Sequence, residues 1–293
     1  IGFMVKLVTQ DGFVKFSPLG GWWSQVLLAQ RVRILTSKGP VLGIIGSKPP
    51  HLLKEDQRGK VVELADMFID VGARDREHAA EELGIRPGDP IVPVSDFTVM
   101  ADPNMLLAKA WDDRAGVAMM METLLELKKS RKKTPNTVYG VGTVQEEVGL
   151  RGAMTAVEVV KPDVALIAET AIAGDMPGID EAESPVKMGK GPVIYVLDGS
   201  MIPNNRLRDL ALDTAAELGL AVQTCVLERG GTDGGRIHLH AQGVPALVLG
   251  VPTRHIHSHA AVMHLEDYRQ SVRLLVGLCR KLDAKTVAGL TEL

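Results

Sequence analysis

Apolar and polar residues alternate with a period near two along the first third of the chain, which predicts strands rather than helices. Residues 2–9, 13–16, 31–36 and 41–45 read as strands, and Ser37-Lys38-Gly39 as the turn between the last two. A short helix is expected over 74–83, stopped by Gly84. Arg86-Pro87-Gly88-Asp89-Pro90 then breaks the chain before Ile91-Val92-Pro93-Val94, and Trp22-Trp23 reads as a buried pair. From about residue 102 the period changes. Residues 114–129 form a Met-, Leu- and Ala-rich helix, and the apolar run 137–144, bounded by Pro135, reads as a buried strand. Helices over 151–159, 205–218 and 266–281 alternate with strands over 163–168, 192–197, 221–227 and 245–249. Such alternation predicts an α/β fold, a mixed, largely parallel sheet flanked by helices. The expected division is a β-rich domain over 1–98 and an α/β domain over 99–293.

Composition narrows the class. With 293 residues, 45% hydrophobic and 24% charged, the chain can bury a sizeable core. The net charge of −3 and the scattered basic residues give no patch for nucleic acid. The run Lys128-Lys129-Ser130-Arg131-Lys132-Lys133 suits a solvated helix end. No apolar stretch approaches the ~20 residues of a membrane span, so no membrane partner is expected. Cys225 and Cys279 lie far apart without metal-ligand spacing, as in a reduced, cytoplasmic protein.

Candidate chemistry collects near strand ends, where ligands bind in α/β sheets. Glu146 and Glu147 follow the run ending at Val144; as neighbours they point different ways, so one can bind a metal while the other moves a proton. Glu169 follows the strand predicted to close at Ala168, with Asp175 beyond it in what reads as a turn. Asp112 and Asp113 precede the Met-rich helix, where a simple N-cap is the competing account. His255, His257 and His259 alternate, and an extended backbone would put all three imidazoles on one face. The glycine-rich stretch around Asp233 lacks the Gly-Lys-Ser/Thr ending of a phosphate-binding loop and reads as a flexible turn. Asp, Glu and His without Cys suit a hydrolytic zinc, cobalt or manganese centre better than a structural one. A pair of such ions would polarise a carbonyl and activate water, leaving a free carboxylate as general base.

Five motifs in order, Asp112-Asp113-Arg114, Gln145-Glu146-Glu147-Val148-Gly149, the stretch from Glu169-Thr170 to Gly174-Asp175-Met176-Pro177-Gly178, Gly231-Thr232-Asp233 and Arg254-His255-Ile256-His257-Ser258, resemble those of the tetrahedral (TET) aminopeptidases. That family of di-metal peptidases includes glutamyl and deblocking aminopeptidases, and some members carry an endoglucanase label. The resemblance covers essentially the whole chain. It implies two divalent ions, zinc, cobalt or manganese, with Asp112 between them. Glu147, Glu169 and His257 would be the further ligands and Glu146 the general base. Asp113, joined to Asp112 by a cis peptide in related enzymes, would stand behind the ligands, and Asp175 and Asp233 beside ligands or substrate. The family often has Asp where this chain has Glu169, and often Tyr at the position of His255, which argues against His255 as a ligand. It also places a further His ligand in a His-x-Asp-Glu stretch just upstream of the segment matching Ile1-Gly2-Phe3-Met4, so a fragment of a longer protein is expected. Residues 1–98 would match a dimerisation domain inserted into the catalytic one, with dimers assembling into a dodecamer. The implied activity is removal of N-terminal residues from short peptides. Two other activities compete: an amidase removing acyl groups from amino acids, and a glycoside hydrolase, whose paired carboxylates need no metal.

Overall fold

The computed structural model describes residues 1–130 and 132–292, so Arg131 of the basic run lies outside the described residues. Six strands near the N-terminus close into a barrel: β1 (Gly2–Val8), β2 (Val14–Leu19), β3 (Arg31–Thr36), β4 (Gly39–Gly46), β5 (Phe68–Asp70) and β6 (Pro90–Pro93), in the order β1-β2-β5-β4-β3-β6. The ladders are antiparallel, and β1 pairing with both β2 and β6 closes the ring. Alternation sends Phe3 and Val5 inward and Met4 and Lys6 outward. A register shift between Val5 and Leu7 then keeps Leu7 outside and brings Val8 in. Closure leaves no free edge, which small barrels need to avoid edge-to-edge association.

The interior is aliphatic and aromatic. Phe3 stacks on Trp22 with centroids 4.4 Å apart and meets Phe16 edge-on at 5.2 Å. The Trp22 indole donates to Gly2 O at 2.8 Å, satisfying the one polar atom it buries. Trp22 is buried, but Trp23 is 58% exposed, so the expected buried pair is half realised: neighbouring side chains leave an extended backbone on opposite faces. The helix expected over 74–83 shrinks to a turn whose His78–Glu82 portion is π-helical, and Gly84 ends it at φ +75° as anticipated.

The α/β unit carries β7 (Thr98–Val99), β8 (Met105–Ala108), α1 (Trp111–Lys129), α2 (Arg151–Val160), β9 (Ala165–Ile172), β10 (Val193–Asp198), α3 (Asn205–Glu217), β11 (Gln223–Leu227), α4 (Gly234–Ile237), β12 (Ala246–Arg254), β13 (Ala261–His264), α5 (Leu265–Lys281) and α6 (Ala284–Gly289). One mixed sheet runs β11-β10-β12-β13-β8-β7, with β9 also paired to β12. The β9–β12 and β10–β11 ladders are parallel; β10–β12, β12–β13 and β7–β8 are antiparallel. α1, α3 and α5 bury Met119, Leu207, Ala211, Leu274 and Leu278 in one core with Leu247 and Leu249 of β12. The chain forms two compact units: Ile1–Phe97 with Ala108–Ala110 and His257–Ala260, and Thr98–Leu107 with Trp111–Ile256 and Ala261–Leu293.

Three strand expectations change, and one of them is β12, expected to end at residue 249, which runs to Arg254. Residues 137–144 form no strand; Tyr139 and Val144 are about two-thirds exposed, at 65% and 66%. The run packs on α1 instead of joining a ladder: a Cβ on Gly140 would lie within 2.5 Å of Met120 and Leu124. β9, by contrast, continues to Ile172, because Thr170, Ala171 and Ile172 keep pairing with Val251, Pro252 and Thr253. Glu169 is therefore inside a strand, not beyond its end.

Candidate active site

α1 opens irregularly. Asp112 and Asp113 carry non-helical backbone angles, and the peptide between them is cis. The Asp113 carboxylate accepts the Gly116 N–H at 2.8 Å, which is the N-cap bond anticipated for one of this pair. Gly116 has to be glycine, because a Cβ there would sit 2.2 Å from both Ala168 O and an Asp113 carboxylate oxygen. That close approach sets the start of α1 against β9, which carries Glu169. The Glu169 carboxylate accepts the N–H of Thr170 at 2.8 Å.

Glu146 and Glu147 lie on a one-turn 3₁₀ helix, Glu146–Val148. Gln145 enters it at φ +60°, and Gly149 and Leu150 leave it at +125° and +58°. Left-handed backbone costs a residue with a side chain about 1–2 kcal/mol, so the surrounding structure holds this turn in place. Part of that hold is backbone: Gly149 and Leu150 donate to Glu146 O at 3.0 and 2.8 Å, and Gly152 donates to Val144 O at 2.8 Å. A Cβ on Gly152 would meet Val144 backbone atoms at 2.4 Å, so α2 starts hard against the segment leading into the turn.

The carboxylates act on one another. Burial pushes the Asp113 carboxyl well above its usual range; the Gly116 N–H opposes this, and the charges of Asp112, Glu146 and Asp233 add to it. Burial also raises Glu169 strongly, reinforced by Asp113 and Asp112, opposed by the Thr170 N–H and reinforced again by Glu146. Like charges this close keep some groups protonated unless a cation joins them. Asp233, 9% exposed, is raised by burial and lowered by its bond from Thr143.

The histidines do not share a face. His255 and His257 take φ +62° and +59°, so the segment is a turn rather than an extended run, and its imidazoles diverge. His255 is exposed. His259 is buried with Nε2 3.3 Å from Val94 O, and burial holds it below its ordinary range despite backbone acceptors. His257 Nδ1 lies 2.8 Å from Gly21 O. A carbonyl only accepts, so that nitrogen carries a proton, and in the neutral ring Nε2 is the atom able to serve as a ligand.

Within the α/β unit, Asp112 and Glu147 each offer a carboxylate oxygen within 4.8 Å of the other, part of a group able to hold a metal ion. Glu169 is not in this group but lies close enough to Asp112 and Asp113 for their charges to raise it. Asp175 is engaged elsewhere: Arg254 donates to both of its oxygens, from Nε at 3.0 Å and from an Nη at 2.5 Å. Burial pushes the Asp175 carboxyl up, and the Arg254 bonds and charge with the Met188 N–H more than reverse this, leaving it below its usual range. Asp175 thus clamps the end of β12. In the glycine-rich stretch, read as a flexible turn, Thr232, Asp233, Gly234 and Gly235 are buried, and Gly234 begins α4. Thr143, which donates to Asp233 at 2.5 Å, was not singled out from the sequence; no local pattern links residues 90 positions apart.

Known proteins align along the chain. The model for the M42 glutamyl aminopeptidase family matches residues 1–274. A TET aminopeptidase from the marine sediment archaeon Thaumarchaeota archaeon SCGC AB-539-E09 superposes with a TM-score of 0.97 at 50% identity, covering 99% of this chain and 81% of that one. The glutamyl aminopeptidase of Lactococcus lactis is 33% identical over 290 residues, 98% of this chain and 79% of its own. The TET1 peptidase of Pyrococcus horikoshii, which can assemble into a tetrahedron or a large octahedral shell, superposes with a TM-score of 0.80 at 29% identity, covering 96% of this chain and 81% of that one. The motifs around Asp112, Glu146, Glu169, Asp233 and His257 thus sit in a fold shared with peptidases, and the chain belongs to the M42 aminopeptidase family, hydrolases acting on peptide bonds.

Proposed function

We propose that the chain removes N-terminal residues from short peptides using two divalent ions and Glu146 as general base. The observation that carries this reading is the approach of Asp112 and Glu147 beside buried, mutually repelling carboxylates, to which the family's motif adds His257 as a donor. That donor set, all oxygen and imidazole nitrogen, suits zinc, cobalt or manganese at a hydrolytic centre. Asp112 would be shared between the ions, with Glu147, Glu169 and His257 as the remaining ligands from this chain. His257 would use Nε2, since Nδ1 is committed to Gly21 O. When bound, the ions polarise the scissile carbonyl and lower the pKa of water.

Glu146 then has two proton tasks: it takes a proton from the attacking water and returns it to the departing amine. Its neighbour Glu147 points elsewhere because consecutive residues of a 3₁₀ turn diverge, so base and ligand stay separate. Asp113 keeps the start of α1 in place through Gly116.

The same reading covers assembly and setting. Residues 1–98 would serve as the dimerisation domain, and dimers would build a dodecamer; the assemblies of the Pyrococcus horikoshii relative support this. The free thiols Cys225 and Cys279 support a cytoplasmic setting. No described helix is long and apolar enough to cross a membrane.

The test is release of amino acids from peptides with acidic, basic and apolar free N-termini, with zinc or cobalt added. Release that stops when the N-terminus is acylated supports an aminopeptidase. No release from any of them, with or without metal, overturns the reading; cleavage only of the acylated peptides would make it an amidase, and chelator-insensitive cleavage of a glucan a glycosidase.

A further inference from the structure

Resting on the aminopeptidase reading, we propose that Asp233 is a positioning residue for the Glu146–Glu147 turn and acts through the hydroxyl of Thr143. Thr143 stands three residues before Glu146 and donates to the Asp233 carboxylate at 2.5 Å. Both ends of this bond are anchored.

On the Asp233 side, a chain of polar contacts runs back to the sheet. Asp198, the last residue of β10, is 2% exposed. One of its oxygens accepts the Ser200 N–H at 2.7 Å and the Ser200 hydroxyl at 2.6 Å; the other accepts the Thr232 hydroxyl at 3.0 Å. Thr232 adjoins Asp233. Gly235 packs so tightly on Ser200 that a Cβ would fall 2.1 Å from its hydroxyl oxygen. Asp198 therefore locks the loop after β10 to the loop that carries Asp233.

On the Thr143 side, only Val144 and Gln145 separate the hydroxyl from Glu146. Val144 O is tied to Gly152 N–H, and Gln145 is held in the left-handed region. Two constrained residues transmit a displacement of Thr143 directly to the turn. The turn needs an outside hold, because Gln145 and Leu150 both occupy backbone that side-chain-bearing residues disfavour. A charge-assisted bond from a buried carboxylate is a strong one. The second Asp233 oxygen is buried and has no hydrogen-bond partner among the described residues, so Thr143 is the partner that fixes this carboxylate.

The experiment uses the full chain, with cobalt(II) binding followed by visible absorption and kinetics on a free-N-terminus peptide. Thr143→Val removes the donor and keeps the shape; Thr143→Ser keeps the donor. Removing such a support is expected to weaken cobalt binding by about 10–100-fold. kcat should fall by about 10–100-fold with KM within about threefold, as for an interaction felt in the transition state. Thr143→Ser should stay within about threefold of the parent. Asp233→Ala, which removes the acceptor, should reproduce Thr143→Val, and the double variant should be no worse than either single one, because both break the same bond.

Parental cobalt affinity and kcat in Thr143→Val, or effects that multiply in the double variant, would overturn the proposal. If Thr143→Val does not fold, Asp233→Ala with parental values overturns it alone. The two readings separate cleanly. An inactive parent whose cobalt affinity still couples Thr143 to Asp233 defeats the aminopeptidase reading and keeps the positioning role. An active parent without that coupling does the reverse.

Discussion

The inward positions of the barrel carry Phe3, Val5, Val32, Ile34 and Ile45, each at most 1% exposed, and none of the fully buried polar side chains among the described residues lies within residues 1–97. The α/β unit buries Asp198, Asp233 and Asp267 along with several threonines. The contrast extends to the backbone. Of the non-glycine residues at positive φ, Ala110, Gln145, Leu150, His255 and His257 all flank or belong to the candidate site. Most barrel strand positions follow alternation, while the site gathers left-handed residues and crowded carboxylates; Ala29 in the barrel unit, and Lys161 and Ala241 away from the site, are left-handed too. Local rules fail where a fold must hold a particular arrangement of polar groups, and such failures mark function better than any composition does.

The sharpest test of this contrast is Glu146→Gln. Loss of a general base should lower kcat by about 10²–10⁴-fold, while bound metal, measured by elemental analysis, and the melting temperature stay near parental. A matching loss of metal would mean that Glu146 is a ligand and that the division of tasks between Glu146 and Glu147 is wrong. The barrel counterpart is Ile34→Ala, which should leave per-molecule turnover intact and cost about 2–5 kcal/mol of stability in urea titrations. Equal damage to turnover would show that the barrel is part of the chemistry.

Gly116→Ala should come next, costing about 1–3 kcal/mol from overpacking at Ala168 O and Asp113. Cobalt titration should show weaker binding as well, since Asp113 and Ala168, the residue before Glu169, meet at that contact.

A pH experiment on chelator-treated protein probes the crowded carboxylates. Glu169 is raised in the folded state, so above the ordinary carboxylate range the folded protein holds a proton that the unfolded chain has released. Stability from this group therefore falls as pH rises toward the raised value. Glu169→Gln should remove that part of the decline and melt higher than the parent at neutral pH without metal. Added zinc should reverse the order by stabilising the parent more. A variant that melts lower at every pH would show that the carboxylate is already satisfied without a cation.

The smallest effect concerns the turn itself. Gln145→Gly should be neutral or stabilising by up to about 1 kcal/mol, because glycine accepts φ +60° freely. Leu35→Gly, in a barrel strand, should instead lower the melting temperature. If both substitutions destabilise alike, Gln145 is not strained and the turn needs no external hold.

Legibility followed the range of the interactions. The four strands expected over 2–9, 13–16, 31–36 and 41–45 all form, because alternation and turn residues act within a few positions. The helices over 114–129, 151–159, 205–218 and 266–281 form for the same reason. Residues 137–144 have the composition of a strand, but a strand is a relation to a neighbour, and this run rests on α1 instead. The alternating histidines fail similarly. Spacing predicts a shared face only if the backbone is extended, and φ values of +62° and +59° at His255 and His257 deny that.

By itself the sequence determined which residues could carry the chemistry: Asp, Glu and His in five ordered motifs, and a chain long enough to present them on an α/β sheet. Tertiary structure decided which of those residues meet. It drew Asp112 and Glu147 together, turned Asp175 toward Arg254, and joined Thr143 to Asp233. The physical reason is that the type of a side chain is local, whereas its partner and its burial depend on segments up to some hundred or more positions away.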